Sequence, residues 1–208
     1  MIVGSQSKRK GGYVVDRDNA VLAHDLMIME EMAANMAAYL DSKVEEWTIP
    51  RANMPRLTIG GFLMRRQRLL ALRHKLSADD QIRLDAALAQ FITALDERVV
   101  RFEKRAHQEL HTRIAEWIGI LPALNRRAKM EANYYAGVVD TRIVIKELLD
   151  ILQTPPYELE EGVNDEIRAV DRLLKSRLNE HAFVWDGIWE SAYPPGEYWW
   201  LYGYPREL

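Results

Sequence analysis

The sequence predicts an all-α protein: an elongated antiparallel bundle of about five helices, with a long central helix and an aromatic, largely non-helical C-terminal tail. Three observations carry this expectation. Between positions 63 and 153 the only turn-forming residues of the Pro/Gly type are Pro122, Gly119 and Gly137, too few for the frequent turns of a sheet. Apolar residues recur every three or four positions along most of the chain. Nine aromatic residues crowd the last 26 positions, where Pro194-Pro195-Gly196 and Pro205 interrupt any helix.

Residues 1–15 read as a flexible basic arm, with Lys8, Arg9 and Lys10 followed by Gly11-Gly12. A short hairpin of Ile2-Val3 with Val14-Val15 is the alternative. Residues 16–182 read as the bundle. The first helix starts at Asp16 or Asp18, either of which can accept orphan N–H bonds. Its apolar positions are Leu22, Leu26, Met29, Ala33, Met36, Leu40 and Trp47, a seam of heptad type with Lys43 as the one intruder. The methionines Met27, Met29, Met32 and Met36 suit core filling or an adaptable binding face.

A second helix is expected from Gly61 to Leu76, with Phe62, Leu69, Leu72 and Leu76 on one side. Ser77-Ala78-Asp79-Asp80 then signals a restart, a capping serine with acidic residues in the first turn. The central helix is expected over 78–118, on a stripe through Leu84, Leu95, Ala106 and Trp117 that repeats every eleven residues. Such a rod spans about 60 Å, longer than the roughly 40–45 Å diameter of a compact globule of this size. A bend is expected at residues 119–122, because proline breaks the helical ladder. A fourth helix runs from 123 to 152, stopped by Thr154-Pro155-Pro156. A fifth opens at Asn164-Asp165-Glu166, carries Ile167, Val170, Leu174, Leu178 and Ala182, and extends as far as Trp189.

Composition narrows the function classes. The 208 residues are 48% hydrophobic and 28% charged with a net charge of -3, so no overall basicity marks a nucleic-acid binder. The chain has no cysteine, which excludes disulfides, cysteine-held zinc, iron–sulfur clusters and thiol nucleophiles, and fits a cytoplasmic protein. No apolar run reaches the length of a membrane helix or signal peptide.

Charge is uneven, however. Positions 48–78 carry Arg51, Arg56, Arg65, Arg66, Arg68, Arg73 and Lys75 and no acidic residue, while positions 154–171 carry six acidic residues against Arg168. Arg65, Arg66, Arg68 and Arg73 are candidates for phosphate contact in a nucleic-acid complex, since the guanidinium fork suits phosphate. The plainer reading is charge pairing with the acidic segment, within the chain or across a dimer. Stacking platforms and helix-turn-helix geometry are poorly supported.

The aromatic segment, residues 183–208, either docks a partner or wraps back to seal the bundle. Trp185, Trp189, Tyr198, Trp199, Trp200 and Tyr202 are the candidate partner-binding residues, because such side chains bury large areas at low entropy cost.

Catalytic signatures are weak. Glu103, His107 and His111 share one side of a helix at i, i+4 spacing and form a candidate metal site, with His24 or His181 as a possible further ligand. No histidine has a glutamate three residues before it, against the ferritin-like di-iron pattern. Asp79-Asp80 with Asp85, and Glu147 and Asp150 with Glu30-Glu31, are faint magnesium-site patterns. Phosphate loops, dinucleotide fingerprints and nucleophile elbows are missing. The leading expectation is a non-catalytic assembly subunit binding a protein partner or itself as a homodimer, with no cofactor and no membrane contact. A nucleic-acid accessory subunit and a metal-dependent enzyme are the alternatives.

Overall fold

The computed structural model describes residues 9–125 and 132–205. Seven α-helices dominate the described residues: α1 (Arg9–Asp41), α2 (Ile59–Ala71), α3 (Ala78–Asp96), α4 (Val99–Asn125), α5 (Ala132–Val138), α6 (Asp140–Leu152) and α7 (Val163–Lys175). Two three-residue strands, β1 (Leu178–Glu180) and β2 (Gly203–Pro205), form a small antiparallel pair. No helix among the described residues is long and apolar enough to cross a membrane.

Helix α1 starts at Arg9, inside the stretch expected to be an arm; residues 1–8 lie outside the described part. Gly11 and Gly12 suggested a break, since each costs about 1 kcal/mol relative to alanine in a helix, yet the helix runs through them. Every expected seam position from Leu22 to Leu40 is buried. Met29, Met32 and Met36 are fully enclosed, so the methionine stripe fills core. At about 2 kcal/mol per buried side chain of this size, the seam is a major contribution to stability.

The helix ends at Asp41, short of the expected Trp47. Its last turn holds no basic residue; the Ser42 N–H turns back to the Ala38 and Tyr39 carbonyls at 3.1 Å, and α4 supplies positive charge at and just beyond the helix end. Arg105 donates to the carbonyls of Val44, at 2.6 Å, and Ser42. Arg98 and Arg101 pair with Asp41. Positive charge at a helix C-terminus complements its dipole. Trp47 leaves the helix and forms a β-bridge with Leu57.

The rod expected over 78–118 is two helices. Ser77 caps α3, accepting the Asp80 N–H at 3.1 Å. After Asp96 the Arg98 N–H turns back to the Leu95 carbonyl at 2.9 Å, and the ladder restarts with the Phe102 N–H on the Arg98 carbonyl. The change of direction lets α3 lie along α1 while α4 lies along α6. The apolar rhythm runs through the break without a gap, so the spacing hides it. Val99-Val100, a β-branched pair and weak helix former, is the one local sign. At the other end, α4 continues past Pro122, where a bend was expected, to Asn125.

Helix α2 occupies the centre, packed against α1, α4, α6 and the 3-10 turn at Gly187–Ala192. Phe62 of α2 stacks on Phe91 of α3 with centroids 4.1 Å apart. Of the expected fourth helix, residues 123–125 end α4, residues 126–131 lie outside the described part, and residues 132–152 divide at Val139 into α5 and α6.

Helix α7 is capped by Gly162 at φ +83°, a left-handed conformation that glycine adopts without a Cβ penalty. It stops at Lys175 rather than running to Ala182 or Trp189. Leu178 enters β1 instead and pairs opposite Pro205.

Candidate functional site

The aromatic segment folds onto the bundle. Tyr135 of α5 donates its hydroxyl to the Trp200 carbonyl at 2.8 Å, and Trp185 donates its indole N–H to the Ala136 carbonyl at 2.8 Å. Tyr198 donates to Glu147 Oε1 at 3.0 Å. Its ring meets Tyr193 edge-on at 5.0 Å and Trp200 at 5.7 Å. Cations cover the rings from the helix side: Arg68 over Trp189 at 4.3 Å and Arg142 over Trp200 at 4.0 Å. Of the six candidate partner-binding residues, Trp189, Tyr198 and Trp200 are buried in the chain's own core, and Trp185, Trp199 and Tyr202 are half-buried against it.

The basic segment is partly spent inside, through Arg65 and Arg68, while Arg51, Arg56 and Lys75 are exposed. Asp25 of α1 is only 4% exposed. It accepts from Arg68, Nε at 2.6 Å, and pairs with Arg65 at 3.3 Å. Arg73 forks onto Asp85, and Arg51 meets Glu31 at 2.6 Å. Arg66 is half-buried. The partners come from α1 and α3, not from the acidic stretch at 154–171.

The faint magnesium patterns are distributed elsewhere. Asp80 is engaged in the α3 cap and in an ion pair with Arg83, which also binds Glu30 at 2.6 Å. Glu147 lies under the tail. Burial pushes its carboxyl up to about 7, against the opposing bond from Tyr198.

The histidine pair of α4 is the site where ionisable groups converge. His107 Nε2 lies 2.9 Å from the Glu158 carbonyl oxygen in the loop joining α6 to α7. His111 Nε2 lies 2.9 Å from Glu160 Oε2 in the same loop, and His107 Nδ1 lies 3.6 Å from Glu160 Oε1. One donor atom from each of His107, His111 and Glu160 falls within 4.8 Å of the others, the only such His/Asp/Glu trio among the described residues. Glu103, expected beside the histidines, instead accepts the Glu158 N–H at 2.8 Å. Glu160 takes its place. Its acidic neighbourhood was visible in the sequence, but only the path of the loop selects this carboxylate. His24 and His181 are not part of the trio.

His111 also stands at the rim of a cleft of about 490 Å³ lined by Tyr39, Thr58, Arg105, Glu109 and Arg113 among others. Thr58 caps α2 by accepting the Gly61 N–H at 3.0 Å. Glu109 Oε2 accepts the Gly60 N–H at 3.1 Å, placing a carboxylate at the helix N-terminus where the dipole favours it. Burial still pushes Glu109 above the usual carboxylate range, and burial, helped by Glu109, raises Tyr39 to about 12. A Cβ on Gly60 would stand 2.2 Å from Val144 Cγ1, so only glycine admits this close approach of α2 to α6. The sequence had marked neither Glu109 nor Asp25.

Compared with known proteins, the chain matches no family model, no curated protein and no solved structure.

Proposed function

We propose that this protein is a non-catalytic helical-bundle assembly subunit that pairs with a second copy of itself through the solvent side of α3. The observation that carries the reading is a pair of exposed isoleucines on the outer, otherwise mixed side of a helix already packed. Leu84, Ala87, Phe91 and Leu95 face inward, yet Ile82 is 67% exposed and Ile92 is 55% exposed, with Ala86 and Ala89 exposed between them. Val100, at the start of α4, is exposed as well.

The arrangement suits self-pairing. A two-fold interface uses one surface twice. Two antiparallel copies of α3 crossing near residue 87 bring Ile82 of one copy opposite Ile92 of the other, and the small side chains of Ala86 and Ala89 allow close approach at the centre. Burying the exposed isoleucines against a second copy would remove apolar surface from water.

Light scattering across a concentration series tests the reading. The expected mass is twice the 24.2 kDa of one chain, falling to 24.2 kDa for the double variant I82E/I92E with an unchanged circular dichroism spectrum. A wild-type chain at 24.2 kDa throughout the series overturns it.

A further inference from the structure

We infer that His107, His111 and Glu160 form a binding site for a divalent transition-metal ion of the zinc type. The argument starts at His107, which is 8% exposed. Its Nε2 faces the Glu158 carbonyl at 2.9 Å. A carbonyl only accepts, so the ring proton belongs on Nε2, leaving the Nδ1 lone pair as the free donor to a metal. Nδ1 is buried and has no hydrogen-bond partner. It points toward Glu160 Oε1 at 3.6 Å. Two acceptors thus face each other, the nitrogen buried and the carboxylate at the surface, an arrangement that favours a positive charge between them.

The neighbouring residues complete the site. His111, one turn along α4, lies within ion-pair distance of the other Glu160 oxygen. The three donor atoms lie within 4.8 Å of one another. A zinc-type ion holds nitrogen and oxygen ligands at about 2.0–2.2 Å. Small movements of the His111 and Glu160 side chains, which are 51% and 54% exposed, bring the three to that distance. Two imidazoles and one carboxylate match borderline ions such as zinc rather than magnesium or calcium, which prefer oxygen.

The supporting shell is already in place. Glu103 accepts the Glu158 N–H, and the carbonyl of that same residue accepts from His107. Metal-binding histidines are held in this manner, the second ring nitrogen donating to a carbonyl or carboxylate that fixes its orientation. Glu103 therefore serves as a positioning residue for the loop. The ion would fasten the loop at 153–162 to α4, independently of the α3 surface.

Titration of the chelator-stripped full chain with Zn2+, by calorimetry and by thermal melting, tests the inference. Expected are one ion per chain and a rise in Tm, because a ligand that binds the folded state alone stabilises it. His111→Ala and Glu160→Ala remove exposed ligands without opening the core. Each is expected to weaken binding by about tenfold or more and to reduce the Tm rise at a fixed Zn2+ concentration, while leaving the circular dichroism spectrum unchanged. No binding at millimolar Zn2+, or affinity unchanged in both variants, overturns the assignment.

Discussion

Tyr198 donates its hydroxyl to Glu147 at 3.0 Å, joining the C-terminal aromatic segment to the buried side of α6. The bond places a carboxyl where water is scarce. Burial raises its pKa to about 7, and the Tyr198 bond only partly opposes that.

Stability should therefore depend on pH through this group. A carboxyl whose pKa is higher in the folded than in the unfolded chain binds more protons when folded, so its effect is most favourable below the unfolded value. Stability falls as pH rises from about 4.5 to about 7 and levels off above that. The amplitude is at most about 3 kcal/mol. Urea unfolding of wild type and Glu147→Gln across this range checks it: the variant's profile should be flatter, because glutamine keeps an acceptor for Tyr198 without the titrating proton.

Trp200→Ala should cost about 3–5 kcal/mol, the range for emptying a buried aromatic site. Trp200 is fully enclosed, beneath the Arg142 guanidinium and beside Tyr198. Its neighbour Trp199 is half-buried, so Trp199→Ala should cost far less. Thermal unfolding of the two variants distinguishes a tail that is part of the fold from one held in reserve for a partner, for which the costs would be small and similar.

Asp25→Asn should destabilise by about 3–5 kcal/mol, because it strands two buried guanidinium groups, Arg65 and Arg68, without a counter-charge. Asp85→Asn, which breaks the exposed pair with Arg73, should leave the unfolding midpoint unchanged. Urea denaturation of both variants provides the comparison.

Periodicity made the helical interior readable. The seam from Leu22 to Leu40 and the stripe through Phe102, Ala106, Leu110, Ile114 and Trp117 are buried as the spacing required. What spacing could not provide was any feature set by distant contacts. The break after Asp96 keeps the apolar rhythm intact, and its value lies in letting α3 and α4 meet different partners. The arginines that meet Asp41 and Ser42 at the end of α1 lie about sixty residues away along the chain. The histidine pair was visible as a pattern on one helix, but its third member, Glu160, arrives on a loop whose course no local rule specifies. Asp25 meets Arg68 across 43 residues and looks in the sequence like any other charge on a helix.

The pairing of β1 with β2 has a consequence for how the C-terminal region opens. Asn179 sits opposite Tyr204 and Glu180 opposite Gly203, and two further backbone bonds, His181 to Tyr202 and Val184 to Leu201, continue the closure inward. The stretch between is thereby closed at its neck, while its rings are held separately on the bundle, Trp185 at the Ala136 carbonyl, Trp200 under Arg142 and Tyr198 on Glu147. Opening of the neck alone leaves those anchors in place, so the C-terminal region is fastened by two separate latches, and exchange at the strand pair can precede release of the rings.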